Sequence, residues 1–319
     1  IIGREQTMIR LINQHLKLRP ENSRAYYLRG ITYARLEDFN QCIKDYSKVI
    51  KDFPNEYIAF YNRGNCKGSL GNYGEAIKDS EEAIKINPNY YLAFYAKGYC
   101  LNQLGKKELA ILSMDNVIRI NPQYSDAYQN RGKYLSELGM YRKSIKDFDK
   151  AIEGYQGDRN SAYSYYGKGI ARFKLGDFKS SIKELNKAIE INPVYAAAFD
   201  LRGSAQRFSG NSKEAFKDYN KAIEIDNSNH LYFYNRGLLK AHRYNYEDAL
   251  IDFNKSLEIK PNDDAILFIR AMTYRELKND YMFCRDLKKS SLIGNDQANS
   301  MLKENYSLCN SFSLFINID

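Results

Sequence analysis

Apolar residues return along this chain in fixed columns. Bulky side chains stand at Tyr26, Phe60, Phe94, Tyr128, Tyr165, Phe199, Phe233 and Leu267. Small ones stand at Val49, Ala83, Val117, Ala151, Ala188, Ala222, Ser256 and Ser290. Within both columns the step is 34 residues, apart from a single step of 37 that each takes at the same point in the chain. A further small column runs through Cys42, Ala76, Ala110, Ser144, Ser181, Ala215 and Ala249, with Cys284 read as its last member. Small and large apolar positions interleaved over a period of this length predict a repeated helix–turn–helix, because one such unit cannot bury its apolar face alone and must stack on its neighbours.

Glycine and proline keep the same beat. Gly30, Gly64, Gly98, Gly132, Gly169, Gly203 and Gly237 recur within the first helix of each unit. A helix-interior glycine costs about 1 kcal/mol relative to alanine, so its return predicts that the two helices of a unit cross too closely there for a larger side chain. The prolines are Pro20, Pro54, Pro88, Pro122, Pro193 and Pro261. They close the second helix, since proline lacks an N–H and pushes its predecessor out of helical geometry.

Numbered from Ser23, eight units begin at Ser23, Tyr57, Tyr91, Ser125, Ala162, Ala196, His230 and Asp264. The expected organisation is therefore the second helix of a truncated unit over 1–22, with Met8, Ile12, Leu16 and Pro20 in phase, then the eight units over 23–290, then a closing helix and tail over 291–319. The fourth unit is three residues longer and replaces its proline turn with a glycine-bearing segment around 154–160. It reads as a tolerated loop insertion, or more sharply as a kink dividing the stack into two arms. The final residues 311–319 have no assigned role.

Units such as AFYNRGNCKGSLGNYGEAIKDSEEAIKINPN, Ala59 to Asn89, resemble the tetratricopeptide repeat family, and the likeness spans nearly the whole chain. That resemblance implies an all-α fold, a right-handed α–α superhelix whose first helices line a concave groove, with positions 2, 5, 9, 12 and 13 of each unit facing it. The family's clamp for chaperone C-terminal carboxylates is not met, since Tyr61 stands at its lysine position and Ala96 at an asparagine position.

Charge adds a second set of columns. Position 7 is basic throughout, from Arg29, Arg63 and Lys97 through Arg131, Lys168, Arg202 and Arg236 to Arg270. Position 23 is acidic at Asp45, Asp79, Asp147, Glu184, Asp218, Asp252 and Asp286, with Ser113 the exception. The basic column alone could be a nucleic-acid stripe. Its acidic mirror favours a ladder of ion pairs between the helices of each unit.

Tyrosine is the unusual component, at 28 Tyr against 16 Phe and no Trp. Position 5 carries Tyr27, Tyr61 and Tyr95 in the first three units, and because position 4 already supplies the core ring, these are read as a groove wall. Asn62, Asn65, Asn102 and Asn130 lie among them, able to grip a peptide backbone by donating and accepting. Arg24, Arg35 and Tyr99 complete the candidate site. With no acid in the groove of the first three units, the expected ligand there is an acidic or carboxylate-bearing peptide.

The expected function is a non-catalytic protein–protein interaction scaffold, binding an extended or helical peptide of a partner. The alternative is a targeting or recruiting arm of a larger protein or enzyme complex. An RNA-binding helical repeat ranks third, because the groove charge is mixed in sign in the later units. No catalytic, metal or cofactor motif stands out, and His15, His230 and His242 lack metal-ligand spacing. No apolar run approaches a membrane span. The five cysteines, Cys42, Cys66, Cys100, Cys284 and Cys309, are odd in number and contain no CxxC pair, which argues against a disulfide framework or zinc ribbon and for a reducing, cytoplasmic setting; Cys42, Cys66, Cys100 and Cys284 are read as packing residues.

Overall fold

A computed structural model describes residues 2–312; the tail segment 313–319 lies outside the described residues. Among the described residues the chain forms nineteen helices and no strand. It divides between Gln156 and Gly157 into two compact units.

The first unit holds α1 (Ile2–Leu18), α2 (Ser23–Arg35), α3 (Phe39–Asp52), α4 (Tyr57–Ser69), α5 (Tyr73–Ile86), α6 (Tyr91–Gln103), α7 (Lys107–Ile120), α8 (Ser125–Glu137) and α9 (Tyr141–Tyr155). The second holds α10 (Arg159–Lys174), α11 (Phe178–Ile191), α12 (Ala196–Phe208), α13 (Ser212–Ile225), α14 (His230–His242), α15 (Tyr246–Ile259), α16 (Asp264–Glu276), α17 (Asp280–Ile293), α18 (Asp296–Glu304) and α19 (Tyr306–Ser311). Within each unit, helices pack against the next in sequence, and most tightly within the pairs α2–α3, α4–α5, α6–α7, α8–α9, α10–α11, α12–α13, α14–α15 and α16–α17.

The glycine column marks a close crossing, with second-helix carbonyl oxygens 3.2 Å from a Cβ on Gly64, Gly98 or Gly203, and it also seats a side chain. A Cβ on Gly30 would meet the Tyr46 ring at 3.1 Å, on Gly132 the Phe148 ring at 3.2 Å, on Gly203 Tyr219 at 2.9 Å, and on Gly237 Phe253 at 2.7 Å. Each glycine is a seat for one large side chain from the second helix, and Tyr46, Tyr219 and Phe253 are at most 1% exposed. Gly64 is the exception: Ser80 replaces the large residue, and the Cβ would meet the Ala76 carbonyl oxygen and Asp79 Cβ, both at 3.2 Å. The sequence reading passed over this column of second-helix residues.

It also passed over the turn inside each pair. Gly71, Gly105, Gly139, Gly176 and Gly210 have φ between 74 and 82°, while Glu37, Tyr244 and Lys278 hold the same place at 56–64°. Positive φ suits glycine, and the other three accept a local cost to keep the turn.

The three extra residues of the fourth unit are spent partly on helix. α9 runs one residue beyond its counterparts and α10 has 16 residues where the other first helices have 13. Gln156 at φ 49° and Gly157 at φ 86° make the break, and the Asp158 carboxylate caps α10 by accepting from the Asn160 and Ser161 amides. At the sixth unit, where Asn227 replaces proline, α13 still ends at Ile225, and Asp226 accepts hydrogen bonds from the Ser228 amide at 2.9 Å and hydroxyl at 2.6 Å.

Two expectations about cysteine are overturned. Counted from Asp264, the small twentieth position falls on Phe283, with Cys284 one place further on; both are buried. More importantly, four cysteines are paired, Cys42 with Cys66 at a Cα separation of 6.5 Å and Cys284 with Cys309 at 5.1 Å. The odd total misled because Cys100 is the buried remainder. Cys42 on α3 and Cys66 on α4 belong to facing columns of consecutive units, and Cys309 on α19 reaches back to α17, where Lys288 Nζ also donates to the Cys309 carbonyl at 2.9 Å. With four cysteines paired, the thiols no longer argue for a reducing setting.

The charge ladder is present. Arg29–Asp45, Arg63–Asp79, Arg131–Asp147, Lys168–Glu184, Arg202–Asp218, Arg236–Asp252 and Arg270–Asp286 pair at 2.5–3.0 Å. Most rungs do more than join two helices. The second guanidinium arm reaches back sixteen residues to the preceding helix pair, as in Arg29 to Asn13, Arg63 to Ser47, Arg202 to Asn186 and Arg236 to Asn220. The position-4 ring lies under the guanidinium, 5.2 Å from Arg29 for Tyr26 and 5.2 Å from Arg202 for Phe199. Lys97, whose own second helix offers only Ser113, pairs instead with Glu81 at 2.8 Å. The basic column is consumed as a staple within and between helix pairs.

Candidate functional site

The candidate groove residues lie on the first helices of the first unit. The three rings Tyr27, Tyr61 and Tyr95 are half-buried. Tyr27 meets the buried Tyr46 ring edge-on at 5.5 Å, and its hydroxyl accepts from Asn62 Nδ2 at 3.4 Å. The Tyr95 hydroxyl accepts from Asn130 Nδ2 at 2.7 Å. Each bond joins a first helix to the next first helix, across 35 residues of sequence. The same amide therefore steadies the ring and stays half-exposed.

A tyrosine in the turn after α5 and another after α7 complete the wall and were not foreseen. Tyr90 packs edge-on against Tyr57 at 4.9 Å and Tyr61 at 5.2 Å, and Tyr124 against Tyr91 at 5.1 Å and Tyr95 at 5.3 Å. Aromatic pairs of this geometry contribute about 0.5–1.5 kcal/mol beyond area burial. The available signal was their place, 33 residues after Tyr57 and Tyr91. Burial raises the hydroxyl pKa of Tyr27, Tyr90 and Tyr124, and pushes Tyr95 up to about 12. The wall thus offers neutral hydroxyls at physiological pH, able to donate and accept.

Arg24 stands at the edge of this wall, exposed. It lines two neighbouring hollows. One, of about 430 Å³, includes Ser23, Tyr27, Leu28, Phe53 and Glu56. The other, of about 240 Å³, includes Ile12, His15, Asn22 and Leu28. Leu28 between them is 47% exposed, an apolar floor beside an arginine without an ion-pair partner among the described residues. Glu56 shares the first hollow, so its charge is not purely basic.

The remaining candidates are less gathered. Arg35 and Asn65 are exposed and make no hydrogen bond or ion pair among the described residues. Tyr99 is 46% exposed. Asn102 is half-buried, and its side-chain oxygen is shielded without a hydrogen-bond donor. A shielded acceptor of this kind calls for a donor.

Among the described residues no group of three His, Cys, Asp or Glu side chains could hold a metal ion, and no helix is long and apolar enough to cross a membrane. Burial pushes the Cys100 thiol up to about 11, which suppresses the thiolate.

The fold defines a protein built of repeated helix pairs. The signature of the tetratricopeptide repeat matches residues 24–56, 57–90, 91–124, 125–153, 162–195 and 196–229, and the chain belongs to that family. Its fold is similar to a tetratricopeptide repeat protein from Parabacteroides merdae, at 20% identity and a TM-score of 0.62, over 79% of this chain and 98% of that one. It is similar too to the Cut9–Hcn1 hetero-tetramer structure, at 15% identity and 0.62, over 89% of this chain and 56% of that one. PilF of Pseudomonas aeruginosa matches at 13% identity and 0.58, over 70% and 96%. No curated protein matches the chain.

Proposed function

We propose that the protein is a non-catalytic interaction scaffold, and that the first-helix face of α2, α4 and α6 binds a peptide segment of a partner protein. The observation that carries this reading is the tyrosine wall. Three rings are pinned by Tyr46, Tyr90 and Tyr124 while remaining half open, so they present rigid apolar area with little entropy left to lose on binding. Asn62 and Asn130 bond the hydroxyls and keep capacity for a backbone, and Asn102 holds an acceptor awaiting a donor.

Arg24, Arg35, Tyr27, Tyr61, Asn62, Asn65, Tyr95, Tyr99, Asn102 and Asn130 form the proposed contact set. The two unpaired arginines favour a segment with at least one carboxylate, tempered at the first hollow by Glu56. The setting we infer is oxidising, because two disulfides would not persist in a reducing one.

Selection of a degenerate peptide library on the intact chain tests this. The wild type enriches peptides bearing Asp or Glu, and Arg24→Ala with Tyr61→Ala weakens the selected peptides at least about tenfold, the equivalent of 1.4 kcal/mol. Lys187→Ala, on an exposed face of α11, leaves them unchanged. Equal losses in both variants would remove the assignment.

A further inference from the structure

In the second unit, one carboxylate breaks the pattern just described. Position 5 of α12 is Asp200, standing where Tyr27 and Tyr95 stand in the first unit. It takes the same cross-helix bond: Asn235 Nδ2 donates to its two oxygens at 2.8 and 3.1 Å, again 35 residues away. The architecture that holds a tyrosine hydroxyl elsewhere here holds a carboxylate.

No lysine or arginine pairs with Asp200 among the described residues. The acids of the charge ladder, such as Asp218 and Asp252, differ in having a guanidinium at 2.6–2.7 Å. The electrostatic neighbours of Asp200 include Tyr166 from α10, Tyr232 from α14 and Tyr219 from α13, and Arg207 also lies against Tyr219. One turn further along α12, Ser204 Oγ lies 3.2 Å from the Tyr219 hydroxyl. Arg207 follows on the same helix, its guanidinium stacked 4.4 Å from the Phe208 ring centre and its Nε shielded with no acceptor. Gln206 Oε1 is shielded with no donor. One face of α12 thus carries an anion with no ion pair and an unused donor nitrogen.

Taking the scaffold reading as its base, we propose that Asp200 receives the amine or guanidinium of a lysine or arginine in a bound peptide segment. A carboxylate walled by aromatic rings is poorly solvated, and a cation brought by the ligand would replace the water it lacks and complete a charge-assisted bond. The half-buried ring of Tyr166 suits the same guest, since a cation is attracted to an aromatic face while its aliphatic stem packs on it. Asn235 fixes the carboxylate, so little ordering remains to be done on binding. Burial also raises the acid's pKa to about 6, which agrees with a charge held without compensation.

The test uses the intact chain and the peptide library of the preceding section, with Asp200→Asn as the comparison. Asparagine keeps the shape and a bond to Asn235, and removal of an unpaired charge leaves the fold at least as stable, which a thermal melt verifies. The expected result is a Lys or Arg enriched at one library position on the wild type. Changing that residue to Met weakens binding about tenfold or more on the wild type and has no further effect on Asp200→Asn. Peptides that bind Asp200→Asn as tightly as wild type, or a Met change that costs the same on both, would overturn the proposal and leave the tyrosine wall standing. A library with no binders at all would overturn both.

Discussion

A single arginine shows how this chain spends its charge. Arg202 bonds Asp218 with two nitrogens, at 2.6 and 2.8 Å, and Asn186 with the third. Asp218 has no second cation among the described residues, whereas Asp252, the partner of Arg236, is also held by Lys240 at 2.8 Å. Arg202→Ala therefore strands a buried carboxylate and should destabilise by about 3 kcal/mol, while Arg236→Ala should cost about half as much. Chemical denaturation of both variants checks the order, and equal losses would mean that Lys240 does not shield Asp252. Asp200 gives a prediction of opposite kind. Its folded pKa, about 6, lies above the ordinary 3.8, so the folded state holds the proton more tightly. Stability from this group is full below pH 4 and is lost as pH rises through 6. Its neighbours Tyr166, Tyr219 and Tyr232 are all pushed above 10.0 by burial and do not titrate in that range. Asp200→Asn should accordingly raise stability by about 1–2 kcal/mol at pH 7.5 and change little at pH 4, read from melts at the two pH values.

At the scale of helices, sequence reading found the repeating pair and misjudged what fits inside it. The glycine column was legible because glycine is costly in a helix and recurred anyway. Its purpose was hidden, because the partner varies from Tyr46 to Met114, Phe148, Leu185 and Phe253, which share volume and not chemistry. The charge ladder was legible because both columns kept their signs. Its reach to the preceding pair was not, because the acceptors there are a mixture of Asn, Ser and Asp. The groove tyrosines could be placed by position, but the turn rings Tyr90 and Tyr124 that pin them lie outside the helices and left only spacing as a clue. The disulfides escaped because cysteines were counted in one dimension. Cys42 and Cys66 are 24 residues apart in sequence and adjoin only after two helices fold back on each other. Chain folded in a glutathione redox buffer, alkylated and then unfolded without reductant should expose one thiol, Cys100, and five after reduction. Five before reduction would remove both bonds.

Over the whole molecule, two compact units carry the same helix-pair plan with different chemistry on the first-helix face. The first offers neutral tyrosine hydroxyls and free arginines; the second puts a carboxylate, Asp200, at one of the tyrosine positions. Recognition by pinned rings is the claim on which the functional account rests, and photo-crosslinking tests it most directly. A benzoylphenylalanine replacing Tyr99, exposed on α6, should capture a library-selected peptide, and the same group at Leu112, 56% exposed on the second helix α7, should not. Capture at Leu112 with none at Tyr99 would place the ligand on the opposite helices and contradict the account.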